Sequence, residues 1–208
     1  MKNLTKWLLS VGLTMSLAFV APAAMAEVAA DAFVKANADD VLAIIKKDKD
    51  IQNGDMKKIY DLAEEKILPN FDFDRIGRLV LGKYWASATK QQQEDFTKEF
   101  RSLMIRTYST ALSKYRNQTI EYKPLRALPT DKDVTVKTMI VQQGGQPIAV
   151  DYALEKSGDS WKVFDIAIEG VSLVTNYRGQ FSGEVRQSSL DSLIQKLSEK
   201  NKQAGITK

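Results

Sequence analysis

Three pairs of carboxylates lie close enough along the chain to suggest acid/base chemistry: Glu64 with Glu65, Asp72 with Asp74, and Asp48 with Asp50. Each has a plainer explanation. Adjacent helix positions do not face one another, and acids at a helix start accept backbone N–H groups and offset the helix dipole. The residues that most often do chemistry are missing, since the 208 residues include no histidine and no cysteine. This removes the commonest general base and metal ligand, together with every Ser-His or Cys-His nucleophile. The chain also lacks a G-x-x-x-x-G-K-[ST] loop to cradle a nucleoside triphosphate. No catalysis, metal or cofactor is therefore expected. Tyr84-Trp85 and Trp161 read as core or rim aromatics rather than a binding cage. Arg178 reads as an ion-pair partner of Glu169, with an anionic headgroup as the alternative.

The N-terminus has the pattern of an export signal. Lys2 and Lys6 precede an uncharged run from Trp7 to Val20, and Ala24-Met25-Ala26 is a small-residue cleavage pattern. Residues 1–26 are expected to be a signal peptide, leaving residues 27–208 as one domain. The apolar run is shorter than the ~20 residues a membrane-spanning helix needs. Cleavage would remove two basic residues and no acidic ones, lowering the formal charge from +4 to +2. Lys46, Lys47, Lys49, Lys57 and Lys58 alternate with Asp48, Asp50 and Asp55, which describes a solvated surface rather than a nucleic-acid footprint. Without cysteine, packing alone must hold the fold in an oxidising compartment.

Apolar spacing shows which elements must position any site. Val34, Ala38, Val41, Leu42 and Ile45 recur at helical intervals, as do Met56, Ile59, Tyr60, Ala63 and Ile67 up to Pro69. "FDFDRIGRLVLG" predicts a short helix starting near Asp72 or Asp74 and ending at Gly82. Thr89 and Gln92 form a capping box for a long helix reaching about Lys114. From Thr119 the period becomes two, giving strands around Ile120, Val136, Val150 and Ile166, with hairpin turns at residues 143–146 and 157–160. Val171, Val174, Tyr177, Phe181 and Val185 then predict a helix entered through Glu169-Gly170, in which Gly179 and Gly183 would permit a close backbone approach. A last helix carries Leu190, Leu193, Ile194 and Leu197 and frays from Lys200. The order implies an α+β fold: N-terminal helices packed on a four-stranded antiparallel meander sheet, followed by C-terminal helices.

This layout offers more apolar surface than a catalytic reading needs. It either fills one ordinary core or leaves an apolar pocket between helices and sheet. The pocket-facing positions would be Phe100, Met104 and Tyr108 on the long helix. They would be joined by Val136, Ile140, Ile148, Val150, Tyr152, Phe164, Ile166 and Ile168 on the strands, and by Val171 and Val174 beyond them. On the same alternation Asp151, Asp165 and Glu169 face outward, which disfavours an enzyme built on aspartate and tyrosine; a chaperone-like interaction module with a filled core is the other alternative.

"FDFDRIGRLVLGKYW", "QQQEDFTKEFRSLMIRTYSTAL" and "WKVFDIAIEGVSLVTNYRGQF" closely resemble, in order and spacing, segments of the MlaC family, also called toluene-tolerance auxiliary proteins. The likeness continues into the tail "LDSLIQKLSEKN". It implies a monomeric periplasmic phospholipid carrier that maintains outer-membrane lipid asymmetry, with acyl chains in an apolar pocket and the headgroup exposed. The implied partners are the MCE-domain subunit MlaD of an inner-membrane ABC transporter, and the outer-membrane lipoprotein MlaA with its porin.

Overall fold

The computed structural model describes residues 28–115, 117–128, 130–142 and 144–204, so the expected signal peptide lies outside the described residues. Side-chain oxygens start most of the helices that follow α1 (Ala30–Lys47). Asp48 accepts the Asp50 and Ile51 N–H groups at the head of α2 (Lys49–Gln52), and Asp55 accepts that of Lys58 in α3 (Met56–Leu62). Asp72 does the same for Arg75 in α4 (Phe73–Leu81), at 2.7 Å. Gly82 closes α4 and leads into α5 (Lys83–Ser87); the reciprocal Thr89–Gln92 box opens α6 (Lys90–Ser113). Asp48 and Asp72, each half of an apparent catalytic pair, thus satisfy orphan helix N–H groups. Glu64 is paired with Arg101 at 2.8 Å. Helices α2 and α5 are too short to register as apolar periodicity in the sequence.

α3 does not stop cleanly. It continues through a π-helical turn, Ala63–Ile67, and a 3₁₀ turn, Leu68–Asn70, that contains Pro69. Such π turns are rare and concentrate at functional sites.

The sheet is antiparallel with its strands in chain order: β1 (Thr119–Tyr122), β2 (Asp133–Val141), β3 (Ile148–Ser157), β4 (Ser160–Ile168) and β5 (Val171–Ser172). The expected four-stranded meander therefore gains a two-residue fifth strand. Glu169 and Gly170, at φ 50° and 78°, make a tight turn that returns Val171 alongside Ile168. Consequently α7 (Leu173–Gln187) begins two residues after Val171, capped by Ser172. α8 (Leu190–Gln203) follows from its Ser189 cap. It holds its helical form past Lys200, in place of the expected fraying, because buried Asn201 donates to the Glu99 carbonyl and carboxylate at 2.9 and 2.8 Å. At Gly179 and Gly183 a Cβ would meet nothing within 4 Å, so no close backbone approach uses them.

A bulge alters the fourth strand. Leu154 pairs with Val163 and Ala153 with Asp165, leaving Phe164 as the extra residue. Trp161 and Val163 before it, and Ile166 and Ile168 after it, therefore share the inner face despite their different parity. Among the described residues the buried apolar side chains form four clusters, three of them bridged by Phe71 and Phe73. One joins α4, α6, α7 and α8 through Phe96, Phe100, Tyr177 and Phe181. Another joins α1 to Val134, Val136, Leu154 and Val163 of the sheet. Trp85 and Trp161 are both buried. Among the described residues, no helix is long and apolar enough to cross a membrane.

Candidate functional site

The inner face of the sheet is unevenly covered. Val136 and Leu154 are 1% and 0% exposed, whereas Ile140, Tyr152, Ile166 and Ile168 on the same face are only half-buried. Their free surface opens onto an apolar cavity between the sheet and the helices. The cavity has two lobes. One, of about 310 Å³, lies under α1 and is walled by Phe33, Val41, Leu42 and Ile45. The other, of about 300 Å³, lies under α4, α6 and the start of α7, walled by Ile76, Phe100, Met104, Tyr108, Leu173 and Val174. Ile67, Phe71, Ala111, Leu112, Ile140, Tyr152 and Ile166 border both lobes.

Ten of the residues expected to face a pocket line this cavity: Phe100, Met104, Tyr108, Ile140, Val150, Tyr152, Phe164, Ile166, Ile168 and Val174. Three expected wall residues do not. Val136 packs in the filled cluster beneath α1. Ile148 lies opposite Ile140 at the start of β3 and outside both lobes. Val171 is 58% exposed, because β5 carries it out to the sheet edge. Strand alternation gave no hint of the walls supplied by Ile67, Phe71, Ala111 and Leu112. For Ile67, Ala111 and Leu112 the signal was the apolar face of a helical segment, which looks the same whether it meets a neighbouring side chain or a cavity; Phe71 lies in extended backbone bridged to Val163.

Few polar groups enter the cavity, and these are largely occupied. Asp165, expected to point outward, borders the second lobe because the bulge at Phe164 resets the strand. Its carboxylate accepts the Ser172 hydroxyl at 2.5 Å and the Val174 N–H at 3.1 Å, which ties the start of α7 to β4. The Thr138 hydroxyl, buried on the inner face, donates to the Val150 carbonyl at 2.8 Å. Burial raises the pKa of the Tyr152 phenol, against a smaller lowering from Thr138. Burial, with a contribution from Tyr177, pushes Tyr108 up to about 12. Both phenols therefore remain neutral at physiological pH and do not act as bases.

Arg75 ties α4 to strands β2 and β3. Its guanidinium donates to Asp133 at 2.8 and 2.6 Å and to Glu155 at 2.9 Å, while covering the Phe164 ring at 3.5 Å. The ion pair expected between Arg178 and Glu169 does not form; Glu169 accepts the Ala149 N–H and Arg178 lies over Gly82. A polar groove of about 460 Å³ beside Tyr60, Lys98 and Arg101 is larger than either lobe. Its Arg101 is already matched to Glu64, and its charged walls do not suit an apolar ligand.

A helical layer over one sheet face, with a forked and nearly uncharged cavity between them, defines an α+β binding protein for an apolar ligand. The chain matches the MlaC protein family over residues 35–199 and belongs to it. It is 26% identical over 198 residues, 94% of this chain and 92% of the relative, to the intermembrane phospholipid transport system binding protein MlaC of Haemophilus influenzae. It is also 26% identical over 159 residues, 76% of this chain and 74% of the relative, to toluene tolerance protein ttg2D of Pseudomonas putida. A solved phospholipid-binding protein from Ralstonia solanacearum, in complex with a phospholipid, superposes with a TM-score of 0.80 at 42% identity, covering 85% of this chain and 98% of that one.

Proposed function

We propose that this protein is a periplasmic phospholipid carrier: residues 1–26 direct export and are removed, and residues 27–208 form a single monomeric lipid-binding domain. The observation that carries this reading is the two-lobed apolar cavity, whose fork suits a ligand with two hydrocarbon tails. The phospholipid in the Ralstonia solanacearum relative and the transport role named for the Haemophilus influenzae relative support it.

The energetics show why a carrier is useful. Two acyl chains hold roughly 30 methylenes at about 0.8 kcal/mol each, so exposing them to water during a crossing costs on the order of 20 kcal/mol. An apolar cavity that covers the chains lowers that barrier without any bond being made or broken. No catalytic step is needed, and the neutral phenols and the capped Asp165 support a role in binding rather than reaction. In this reading lipid is exchanged with the MCE-domain subunit MlaD of an inner-membrane ABC transporter and with the outer-membrane lipoprotein MlaA and its porin, which together maintain outer-membrane asymmetry.

The test is transfer of a fluorescent phospholipid from donor to acceptor vesicles. The purified protein should accelerate transfer in proportion to its concentration. A rate equal to that without protein, with no lipid bound to the protein, would overturn the proposal.

A further inference from the structure

Leu128 is 69% exposed, more than any other large apolar side chain among the described residues. It sits in the segment between β1 and β2, which is anchored along its length. The Lys123 N–H donates to the Lys137 carbonyl at 2.9 Å, and the Lys156 N–H donates to the Lys132 carbonyl at 2.8 Å. Leu125 packs against the cluster beneath α1. At the tip, the Asp131 carboxylate accepts the Leu128 N–H at 2.8 Å, while the Asp131 N–H donates to the Leu128 carbonyl at 3.0 Å. A leucine held outward on a closed turn has already lost the backbone freedom that ordering it would cost, so it is pre-organised for burial against an apolar partner.

The charges around Leu128 identify that partner. Lys123, Arg126 and Lys137 border a surface hollow of about 610 Å³ beside the same segment, and Lys132 follows the tip. The nearby acids are engaged: Asp133 by Arg75 at 2.6 Å, Asp131 by the turn, Glu121 by Lys123 at 3.5 Å and Asp151 by Lys137 at 3.7 Å. Arg126 and Lys132, both exposed, have no ion-pair partner among the described residues. A protruding apolar side chain flanked by unpaired cations matches a bilayer surface that carries anionic phospholipid, where the leucine enters the acyl boundary and the cations meet phosphates. An acidic protein surface would match the cations but offers the leucine no apolar layer to enter. The segment leaves the sheet at its filled end, beside Val134 and Leu154, and none of its described residues lines either lobe of the cavity.

We infer that the β1–β2 segment is a membrane-docking tip, with Leu128 as the inserting side chain and Arg126 and Lys132 as its phosphate-facing cations. Such docking is distinct from loading the cavity and does not depend on it. One leucine and a few cations give weak, reversible binding, which leaves the protein free to depart.

The mature protein is sedimented with vesicles of phosphatidylcholine, with and without added phosphatidylglycerol, at low and at physiological salt. It should pellet with the anionic vesicles alone, and less as salt rises. Leu128→Ser, and separately Arg126→Gln with Lys132→Gln, should each weaken binding by about tenfold or more, the scale of one inserted leucine or of two surface cations. Lys83→Gln with Lys90→Gln removes the same net charge from the helical layer and should leave binding unchanged. All five side chains are exposed, so the substitutions leave the fold close to its original stability. Equal binding to neutral vesicles, binding that survives Leu128→Ser, or an equal loss in the variant of Lys83 and Lys90 overturns the docking tip. So does failure to pellet with anionic vesicles at low salt. Lipid loading is read on the same samples by native mass spectrometry, so normal loading without pelleting overturns the docking tip and leaves the carrier reading in place.

Discussion

Ile166→Asp should empty the cavity without unfolding the protein. Ile166 borders both lobes and is only half-buried, so a carboxylate there faces open cavity that water can enter when no lipid is bound. Losing contact with its four-carbon side chain removes about 3 kcal/mol from lipid binding at roughly 0.8 kcal/mol per carbon. Covering the new carboxylate with an acyl chain adds a desolvation cost of several kcal/mol. Together these weaken retention by about 10⁴-fold or more, at ~1.4 kcal/mol per factor of ten. Val150→Asp is the contrasting case. Val150 is 6% exposed and its carbonyl accepts the Thr138 hydroxyl, so a carboxylate there should unfold the sheet as well as expel lipid. Bound lipid is read by native mass spectrometry and folding by circular dichroism and thermal melting. A folded Ile166→Asp protein holding lipid at the wild-type stoichiometry would refute the cavity assignment.

Other parts of the fold can be probed by stability alone. Gly179→Ala and Gly183→Ala should each stabilise α7 by about 1 kcal/mol, because nothing lies within 4 Å to oppose a methyl group, and a thermal melt should move up by ~2–4 °C for each. Arg75→Met should cost about 1–2 kcal/mol in urea unfolding, since it leaves Asp133 and Glu155 without their shared cation while keeping an apolar cover on Phe164; an unchanged midpoint would count against the brace. The same cation lowers the pKa of Asp133 from 3.8 through its hydrogen bond. A lowered carboxylate pKa gives stability that is complete above about pH 3.8 and is lost as pH falls through the folded-state value, so Asp133→Asn should flatten that part of the acid limb of a stability–pH curve.

The helices and strands were legible because their signals are local. Thr89 with Gln92 announced α6, and Gly158-Asp159 between Ser157 and Ser160 announced the β3–β4 hairpin. What escaped depended on single-residue geometry or on open space. The bulge at Phe164 put both Val163 and Ile166 on the inner face, which strict alternation does not allow, and it brought Asp165 to the cavity edge. Two left-handed residues, Glu169 and Gly170, made a hairpin of what the apolar spacing read as a direct passage into α7, and so moved Val171 to the surface. The cavity itself has no sequence signature: Met104 and Tyr108, which line it, obey the same helical spacing as buried Phe96 and Leu103, which do not. Resemblance to a lipid-binding family supplied what periodicity could not.

Phospholipid carriage is tested most directly by native mass spectrometry of the mature protein, isolated from the periplasm without detergent, followed by solvent extraction and identification of whatever is released. A carrier with this cavity should show a bound mass that resolves into phospholipid at close to one or more molecules per chain. Protein that is free of lipid as isolated, and stays free of it after incubation with phospholipid vesicles, would contradict the carrier function and leave an interaction module in its place.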